Sequence, residues 1–447
     1  MLPASDHYTG KHIAVLGLGR SGLAAARLAR RLGAAVTALD TGCSDSLSQQ
    51  ADLLEAEGVH CLLGDAALAC TDHFDLAVLS PAIDPSWPLA QLMLRAATPA
   101  ISEIEFAFRH TSVPCIAITG TNGKTTTTSL IAAAISAAGL RTVPCGNFGV
   151  AFAGLVLDDA PMDVYTLEVS SFQLELIETF RPRVSVWMNF AEDHLDRHPD
   201  MEAYYRAKAR IFENQTTEDT AVINAIGTYP ELKARKVTFS AWTEAADWTL
   251  RDGWICLHGE RILAMQSTRL RGRHNAENLM AALAACHAWG LPLAELAEAL
   301  RGIPAPRHRC EPAGTVNGVE FINDSKATNV HAMESALRGM ESPVVLIAGG
   351  KEKGLDYRPL APLVAEKATA IFTIGEIGPR LADLWKEAAP CTVCSSLDDA
   401  VRGALAAATP GQAVLFAPGT SSFDMFTGYD HRGDSFIQTV QKLDQAP

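Results

Sequence analysis

Short apolar runs rich in Val, Ile and Leu alternate along this chain with longer segments rich in Ala and Leu. The short runs have the length and β-branched content of buried strands, and the longer segments have helical character. Alternation of strands with helices favours parallel sheets in an α/β protein. The runs that predict strands are 13–16, 35–39, 76–79, 115–119, 164–169, 184–189, 221–224, 319–323, 344–348, 371–374 and 414–416.

The first α/β unit closes near Ser102, and two changes in the pattern mark the rest of the chain. Between residues 237 and 268 the runs become short and rich in Trp, Thr and Ile, which indicates a small antiparallel patch. Ile303-Pro-Ala-Pro306 breaks any helix and predicts a linker. We therefore expect domains over residues 1–102, 103–304 and 305–447.

Composition narrows the class of protein. The 447 residues carry a net charge of −14, which opposes a nucleic-acid partner held by phosphate contacts. The ten cysteines form no disulfide framework, and Cys391-Thr-Val-Cys394 predicts a strand rather than a zinc or redox site. No apolar run is long enough to span a membrane, and no signal peptide is recognisable. We expect a cytoplasmic monomer without membrane insertion.

The run 115–119 leads into Thr119-Gly-Thr-Asn-Gly-Lys-Thr125, after which a helix-like segment extends to residue 138. Glycines after a strand let backbone N–H groups surround a phosphate, and the helix N-terminus adds the positive end of its dipole. Lys124 would reach the β- and γ-phosphates of a nucleotide, and the Thr125 hydroxyl would ligate Mg²⁺. The spacing G-x-x-G-K-T is shorter than in the standard P-loop, so an ordinary strand-to-helix turn is the alternative.

A second glycine motif follows the first predicted strand. Gly17, Gly19 and Gly22 form the pattern G-x-G-x-x-G, and Asp40 ends the next strand 18 positions after the last glycine. This pattern predicts a site for a phosphate or diphosphate without identifying the ligand as NAD. Ser80 follows the strand 76–79, at the sheet edge where ligands bind in open α/β sheets.

Two acidic segments directly follow central strands, at the sheet edge where the loop 119–125 opens. They are Glu168-Val-Ser-Ser-Phe-Gln173 and Glu192-Asp-His-Leu-Asp-Arg197. Carboxylates at this edge suit a Mg²⁺ ion that bridges phosphates, whereas a histidine ligand is less usual for this metal. A helix N-cap is the alternative for Asp193.

Other polar segments permit simpler interpretations. Arg206, Lys208 and Arg210 lie on a predicted helix over 201–214, where a solvated basic face is the default. Asn275 is a candidate N-cap of the helix that ends at Trp289. The segments 323–329, 349–354 and 419–424 each follow a strand, and the glycines of 349–354 could form another anion cradle.

Together these motifs resemble the Mur ligases, the ATP-dependent amino-acid ligases of peptidoglycan precursor synthesis, over nearly the whole chain. The segment 119–125 is similar to the short ATP loop of that family, and 168–173, 192–197 and 323–328 resemble its glutamate-adding branch. The predicted fold is α/β in three domains. An N-terminal Rossmann-like domain precedes a central P-loop ATPase-like parallel sheet with the antiparallel patch, and a C-terminal Rossmann-like domain follows.

The resemblance implies that ATP drives the ligation of glutamate to UDP-N-acetylmuramoyl-L-alanine through an acyl phosphate. It also implies two Mg²⁺ ions and a carbamylated Lys208. The implied catalytic residues are Lys124, His194, Lys208 and Asn147, and the metal ligands are Thr125, Glu168, His194 and Lys208. ATP would be bound by Gly120, Thr121, Asn122, Gly123, Lys124, Thr125, Thr126, Asn275, Asn278, His308, Arg309 and Asp324. The two small-molecule substrates would be bound by Gly17, Gly19, Arg20, Ser21, Gly22, Asp40, Thr41, Ser80, Ser170, Lys326, Thr328, Lys353, Ser422 and Tyr429.

Two other classes of protein are open at this point. An NAD-dependent dehydrogenase would rest on the first glycine motif but would leave the segment 119–125 unexplained. A non-catalytic nucleotide-binding protein would require a broken metal set, whereas all four implied ligands are present. The sequence does not distinguish D- from L-glutamate and identifies no base for the amine. Because Arg309 and Asp324 lie in the third domain, we expect ATP to draw that domain in by closure about 304–306.

Overall fold

The computed structural model describes residues 8–195, 197–303, 307–340 and 342–444. These residues form an α/β structure with three mainly parallel sheets, which confirms the predicted fold class. Within the described residues, no helix is long and apolar enough to cross a membrane. The predicted linker at 304–306 lies outside the described residues, and the exact domain boundaries stay predictions.

The strands are β1 His12–Leu16, β2 Ala35–Asp40, β3 His60–Leu63, β4 Leu76–Leu79, β5 Ala100–Ser102, β6 Cys115–Thr119, β7 Pro144–Gly146, β8 Tyr165–Glu168, β9 Val184–Trp187, β10 Thr220–Asn224, β11 Arg235–Ser240, β12 Trp248–Arg251, β13 Trp254–Leu257, β14 Glu260–Ala264, β15 Glu311–Val316, β16 Val319–Asn323, β17 Val344–Gly349, β18 Ala368–Ile374, β19 Cys391–Val393 and β20 Ala413–Phe416.

The α-helices are α1 Arg20–Arg31, α2 Asp45–Ala56, α3 Asp65–Leu68, α4 Pro88–Arg95, α5 Glu103–Phe108, α6 Lys124–Ala137, α7 Phe152–Asp158, α8 Ser171–Leu174, α9 Met201–Ala209, α10 Arg273–Trp289, α11 Leu293–Arg301, α12 Val330–Gly339, α13 Ala361–Lys367, α14 Gly378–Trp385, α15 Leu397–Ala407 and α16 Tyr429–Asp444. Short 3₁₀ turns occupy Arg210–Phe212, Met265–Ser267 and Arg358–Leu360.

The first sheet has the strand order β3-β2-β1-β4-β5, and every pairing in it is parallel. The central sheet has the order β14-β13-β12-β11-β10-β9-β6-β8-β7, in which β12, β13 and β14 pair antiparallel. These three strands are the antiparallel patch expected from the change in pattern. The third sheet has the order β15-β16-β20-β17-β18-β19, and β15 is its antiparallel edge strand. Parallel order brings the carboxyl ends of β6, β8 and β9 to one edge, where ligands bind in open sheets.

The pattern of apolar runs misses some short strands. β3, β5 and β7 are short and include His60, Ser102, and Pro144 with Gly146, so no continuous apolar run distinguishes them from loops, unlike the equally short β4. The predicted helix over 201–214 ends as an α-helix at Ala209 and continues as a 3₁₀ turn. The strand interpretation is confirmed for Cys391, which lies in β19, whereas Cys394 directly follows the last residue of that strand.

The first and central sheets share one apolar core. Leu28 on α1, Phe106 on α5 and Phe152 on α7 belong to a single buried cluster that reaches Leu167 in the central sheet. The third sheet has separate apolar clusters on its two faces. The first two units are therefore packed as one body through α1, α5 and α7.

Glu103 is a buried carboxyl at this junction. It is 1% exposed, and its Oε1 accepts a hydrogen bond of 2.7 Å from the N–H of Ala153 at the start of α7. Burial raises its pKa to about 7, although the N–H groups of Ala153 and Phe152 oppose the shift. The folded protein therefore holds a proton that the unfolded chain releases.

Replacement of Glu103 by Gln removes this titration and keeps an oxygen for the Ala153 N–H. In the wild type, the folded state binds more protons than the unfolded state between about pH 4.5 and about pH 7. The contribution of Glu103 to the free energy of unfolding is therefore lost as pH rises through this window. We expect the free energy of unfolding of Glu103→Gln, relative to that of wild type, to be higher at pH 8 than at pH 4 by roughly 3 kcal/mol. Urea unfolding of both proteins at both pH values measures this difference. Exposed Glu260→Gln is the control. An equal difference between Glu103→Gln and wild type at both pH values would contradict the raised pKa.

Candidate active site

The loop between β6 and α6 has a backbone that favours glycine. Gly120 and Gly123 have φ angles of +139° and +85°. A Cβ atom at Gly120 would lie 2.9 Å from the Cβ of Met188, and one at Gly123 would lie 2.5 Å from Oδ1 of Asn278. Both glycines are therefore needed for close packing as well as for conformation. The first N–H groups of α6 have no intrahelical acceptor, so this helix start can receive an anion.

Asn189, to which the sequence assigns no role, holds this loop. Its Oδ1 accepts a 2.8 Å hydrogen bond from the N–H of Asn122, and its Nδ2 donates to the Asn122 carbonyl at 3.1 Å. The Asn189 carbonyl accepts from the N–H of Thr121 at 3.0 Å. Asn189 lies two residues after β9, and β9 neighbours β6 in the sheet. Once this strand order is known, the position of Asn189 in sequence predicts that it lies beside the loop after β6.

Two lysines donate hydrogen bonds to the same carbonyl oxygen of this loop. Nζ of Lys124 lies 2.9 Å from the Gly120 oxygen, and Nζ of Lys208 lies 2.8 Å from it. Lys124 also donates to the Thr121 carbonyl at 2.9 Å. Burial lowers the pKa of both lysines, and the charge of Lys124 lowers the pKa of Lys208 further.

The solvated basic face predicted for α9 is wrong for Lys208. This side chain is 1% exposed and its ammonium lies 4.6 Å from the ring centroid of Tyr204. Arg206, on the opposite side of the helix, is exposed as expected, with 75% of its side chain accessible. The error arises because a short polar helix segment does not reveal which face another element covers.

Glu168 ends β8 beside the loop and has a free carboxylate oxygen. Its Oε1 accepts a 2.7 Å hydrogen bond from Nδ2 of Asn147, whereas its buried Oε2 has no hydrogen-bond partner among the described residues. A buried unpaired carboxylate oxygen fits a ligand of a hard cation such as Mg²⁺. The described residues contain no cluster of three or more His, Cys, Asp and Glu side chains that could hold a metal, so Thr125 or Lys208 would have to contribute.

His194 lies between β9 and α9 on a strained backbone. Its φ angle is +56°, and its ring packs against Phe172 with centroids 5.0 Å apart. Burial lowers its pKa to about 4, and the nearby lysine charges add to the effect against that of Asp193. The imidazole is therefore neutral near pH 7, which is the form that ligates metals.

The N-cap alternative for Asp193 is wrong, because α9 begins at Met201 and is capped by Asp200. Asp193 instead contacts the third sheet's loops: Nδ2 of Asn329 donates to its Oδ2 at 2.9 Å, and Nζ of Lys353 to its Oδ1 at 3.3 Å. Burial alone would raise the pKa of Asp193, but the neighbouring His194 and Lys353 outweigh it and lower the pKa. Asp196 lies outside the described residues.

A cavity of about 930 Å³ opens in front of the loop, between the central sheet and the third sheet. The predicted ATP residues among its lining are Asn122, Gly123, Thr126, Asn275, Asn278, Arg309 and Asp324. Its volume lies within the range of small-molecule sites. Asn275 is not an N-cap, because α10 begins at Arg273; its Oδ1 accepts from Nδ2 of Asn278 at 3.1 Å.

The third sheet contributes charged groups to this cavity from the loop after β16. Burial raises the pKa of Asp324 to about 6, and it lowers the pKa of Lys326 to about 7 together with the charge of Arg309. The Lys326 ammonium lies 3.5 Å from the ring centroid of Tyr429. Thr328 is partly exposed in the same loop.

Arg432 ties the third-sheet loops together, and no sequence motif identified it. It is fully buried and donates to Ser325 Oγ at 3.0 Å, to the Ser325 carbonyl at 2.8 Å and to the Thr420 carbonyl at 3.0 Å. Ser422, which is 2% exposed, follows in the same loop. Arg432 thus fixes the loops after β16 and β20 relative to each other.

The ring of His308 is held within the third unit. Its Nδ1 lies 2.9 Å from Nδ2 of Asn323, and a Cβ at Gly433 would lie 2.2 Å from that nitrogen. His308 has a φ angle of +63° and is 3% exposed. The structure does not bring His308 into the lining of the cavity, in contrast to its neighbour Arg309.

The first glycine motif lies at the start of α1 and meets the turn after β4. Gly17 has a φ of +87°, and a Cβ there would lie 2.9 Å from Ile83 and 3.1 Å from Ser80. Both carboxylate oxygens of Asp40 accept backbone N–H groups, from Leu18 and from Gly42, at 2.8 Å each. Gly22 packs on the Gly17 carbonyl, and Gly19, Arg20 and Thr41 are exposed while Ser21 is partly exposed.

Two further contacts concern predicted site residues. Nη1 of Arg20 donates to the Gly149 carbonyl at 3.0 Å, which places the first motif beside the loop that carries Asn147. Ser170 caps α8 through a reciprocal pair of hydrogen bonds with Gln173, at 3.3 Å and 3.0 Å.

Gly349 and Gly350 in the segment 349–354 serve packing rather than an anion cradle. A Cβ at Gly349 would lie 2.1 Å from the Ile374 carbonyl, and one at Gly350 would lie 2.4 Å from the Ser421 carbonyl. The N–H groups of Gly349 and Lys351 donate to carbonyls of Pro418 and Ser421 at 2.9 Å. These donors are therefore not available to a ligand.

Comparison with known proteins adds independent information to this geometry. Residues 118–286 match the Mur ligase middle domain, and residues 308–420 match the Mur ligase glutamate ligase domain. The chain is 38% identical to a UDP-N-acetylmuramoylalanine–D-glutamate ligase of Acidobacterium capsulatum, with 96% of each chain covered. It is 40% identical to the Geobacter metallireducens protein of the same name, with 97% of this chain and 98% of the relative covered.

Solved structures support the fold. A UDP-N-acetylmuramate–alanine ligase from Thermotoga maritima aligns with a TM-score of 0.61 at 17% identity, over 97% of this chain and 99% of that one. The MurF ligase of the same organism, solved with ADP, aligns with a TM-score of 0.60 at 14% identity, over 99% and 97%. With full-length relatives near 40% identity and family domains over more than half of its residues, the chain belongs to the Mur ligase family.

Proposed function

We propose that this protein is an ATP-dependent ligase that joins D-glutamate to UDP-N-acetylmuramoyl-L-alanine in peptidoglycan precursor synthesis. The observation that carries the proposal is the match over the full length to relatives named for this reaction, at 38–40% identity. The D configuration, which the sequence motifs leave open, follows from the names of these relatives. The dehydrogenase alternative loses its basis, because the Asp40 oxygens hold the glycine loop instead of facing a ribose.

The reaction transfers the γ-phosphoryl group of ATP to the alanyl carboxylate, and the amine of glutamate then displaces phosphate from the acyl phosphate. Phosphoryl transfer requires positioning and charge neutralisation rather than a protein nucleophile. At the loop, Lys124 and the first N–H groups of α6 supply this positioning and charge neutralisation. Asn275 and Asn278, which line the cavity, are suited to the adenine, and Arg309 to the phosphates.

Two Mg²⁺ ions would supply charge neutralisation to the phosphates and the acyl phosphate. Thr125, Glu168, His194 and a carbamylated Lys208 are the residues that would hold them. The unpaired Oε2 of Glu168 and the neutral imidazole of His194 support this set. Burial of Lys208 favours its neutral amine, which is the form that adds to CO₂; carbamate formation releases one proton and turns a cation into an anionic oxygen donor.

The incoming glutamate needs cationic and hydroxyl groups for its two carboxylates. Lys326 and Lys353 supply charge, and Thr328, Ser422 and Tyr429 supply hydroxyl groups on the loops that Arg432 joins. The loop of the central unit touches the start of α12 in the third unit, where Nδ2 of Asn122 lies 2.9 Å from Nδ1 of His331. Closure of the third domain about 304–306 would exclude water from the acyl phosphate.

We also propose a cytoplasmic location and monomeric state. All ten cysteines are free, as in proteins of a reducing compartment. The substrates are small molecules, and neither nucleic acid nor membrane insertion enters the reaction.

Replacement of Lys124 by Ala removes the ammonium that contacts the phosphoryl group. We expect phosphate release with ATP, Mg²⁺ and both substrates to fall by at least about a hundredfold. Lys442→Ala, on the exposed end of α16, is the control with unchanged activity. Full activity of Lys124→Ala would refute the role of the loop.

Substrate identity is tested with the wild-type protein. Phosphate release should require both UDP-N-acetylmuramoyl-L-alanine and glutamate, and D-glutamate should be used at least about a hundredfold better than L-glutamate, since a pocket with several fixed polar contacts rejects the wrong hand. Titration with NAD should give no binding signal. Equal use of both hands would contradict the proposed specificity.

Carbamylation of Lys208 has a direct spectroscopic test. Protein equilibrated with ¹³C-bicarbonate should give one carbamate carbon signal by NMR, and Lys208→Ala should lack it. Lys442→Ala should retain the signal. An identical spectrum for wild type and Lys208→Ala would exclude the carbamate.

A further inference from the structure

Arg197 lies three positions after His194, yet none of the predicted roles uses it. Its Nε lies 3.0 Å from Oδ2 of Asp84, and its Nη2 lies 2.9 Å from Oε2 of Glu175. The guanidinium carbon also lies 4.8 Å from the ring centroid of Phe172. With 12% of its side chain exposed, Arg197 is held on three sides.

Asp84 belongs to the first sheet's turn after β4, which carries Ser80. Its Oδ1 accepts hydrogen bonds from the N–H and the hydroxyl of Ser86 at 2.7 and 2.6 Å, so its Oδ2 is oriented towards Arg197. The N–H of Ile83 donates to the Ser80 carbonyl at 3.0 Å, and Ile83 packs against Gly17. A displacement of Asp84 would therefore move the turn that contacts the first glycine motif.

Glu175 and Phe172 belong to the central sheet's segment after β8, which carries Glu168. The Phe172 ring packs edge-on against His194 with centroids 5.0 Å apart. The Glu175 carbonyl is a hydrogen-bond acceptor for Arg210, which anchors this segment to the 3₁₀ turn after α9. Arg197 thus contacts the segment beside the metal-site residues on one side and the first sheet's turn on the other.

Arg197 lies between two carboxylates and pairs with both of them. Asp84 and Glu175 are 16% and 22% exposed, and they would repel each other if the guanidinium were absent. One planar guanidinium can donate to two carboxylates in fixed directions, which an ammonium group does less well. Arg197 therefore adds a directed charged contact between the two segments to the apolar packing that joins the first two units.

We propose that Arg197 is a positioning residue. It holds the turn after β4, which carries Ser80 and Asp84, in a fixed position relative to the segment after β8, which carries Phe172 and Glu175. The inference rests on the proposed function and extends it to a residue outside the implied site. Without Arg197, the bound nucleotide substrate has to align both segments itself, and part of its binding energy is used for that alignment. Once bound, it restores the geometry, so turnover at saturation is little changed.

The test compares KM values for the three substrates. Arg197→Gln should raise the KM for the UDP-linked substrate about tenfold, while kcat and the KM values for ATP and glutamate change less than about twofold. Arg197→Lys should recover part of the increase. Arg141→Gln removes an arginine that pairs with Asp163 inside the central unit and is the matched control, with all parameters unchanged.

Asp84→Asn keeps the turn acceptor and provides a second variant if Arg197→Gln does not fold. It should raise the same KM, and the double variant should not exceed Arg197→Gln because both changes remove one contact. Equal increases in all three KM values, a fall in kcat alone, or values equal to the control would overturn the inference. Failure of the wild type to release phosphate would instead refute the proposed function.

Discussion

The side-chain nitrogens of Lys124 and Lys208 share the carbonyl oxygen of Gly120, and the rest of the site depends on this arrangement. If both were protonated, two cations at hydrogen-bond distance from one acceptor would repel each other strongly in this buried site, and burial together with the Lys124 charge favours the neutral amine of Lys208. Glu168 and Asp193 act against this repulsion, since the charges of both favour the protonated form of each lysine. Carbamylation of Lys208 would remove the repulsion altogether. The burial of Lys208 is therefore better explained by a chemical role than by a contribution to stability.

The carbonyl can accept both lysines because several elements fix its position. Gly120 adopts a φ angle that other residues avoid, and Asn189 holds the next two N–H groups of the loop. α9 must pack with Lys208 facing inward, which the rings around Tyr204 allow. Contacts from Asp193 to Asn329 and Lys353 then bring the third sheet's loops to the same place. Loops at the carboxyl ends of strands in the central and third sheets thus meet, which is where ligands bind in open α/β sheets.

Much of the fold was predictable because strand–helix alternation is a local property. β4 and β16 begin and end where the apolar runs do, and the antiparallel patch follows from a local change in composition. Short strands such as β3 and β7 were not predictable, because His60 in β3 and Pro144 and Gly146 in β7 interrupt the apolar run that reveals the equally short β4. The N-cap predictions for Asp193 and Asn275 were wrong. A polar residue near a helix start can make several kinds of contact, and only the packed structure distinguishes them.

By itself, the sequence determined the order of strands and helices, the two glycine motifs and, through resemblance, the family. These features depend on residue type and spacing along the chain. Tertiary structure decided which polar residues face each other: Lys208 and Lys124 on one carbonyl, Asn189 around the loop, Arg432 between two loops and Arg197 between two sheets. Such contacts join residues far apart in sequence, and their identity depends on strand order and on the packing of whole units. No local pattern encodes either one.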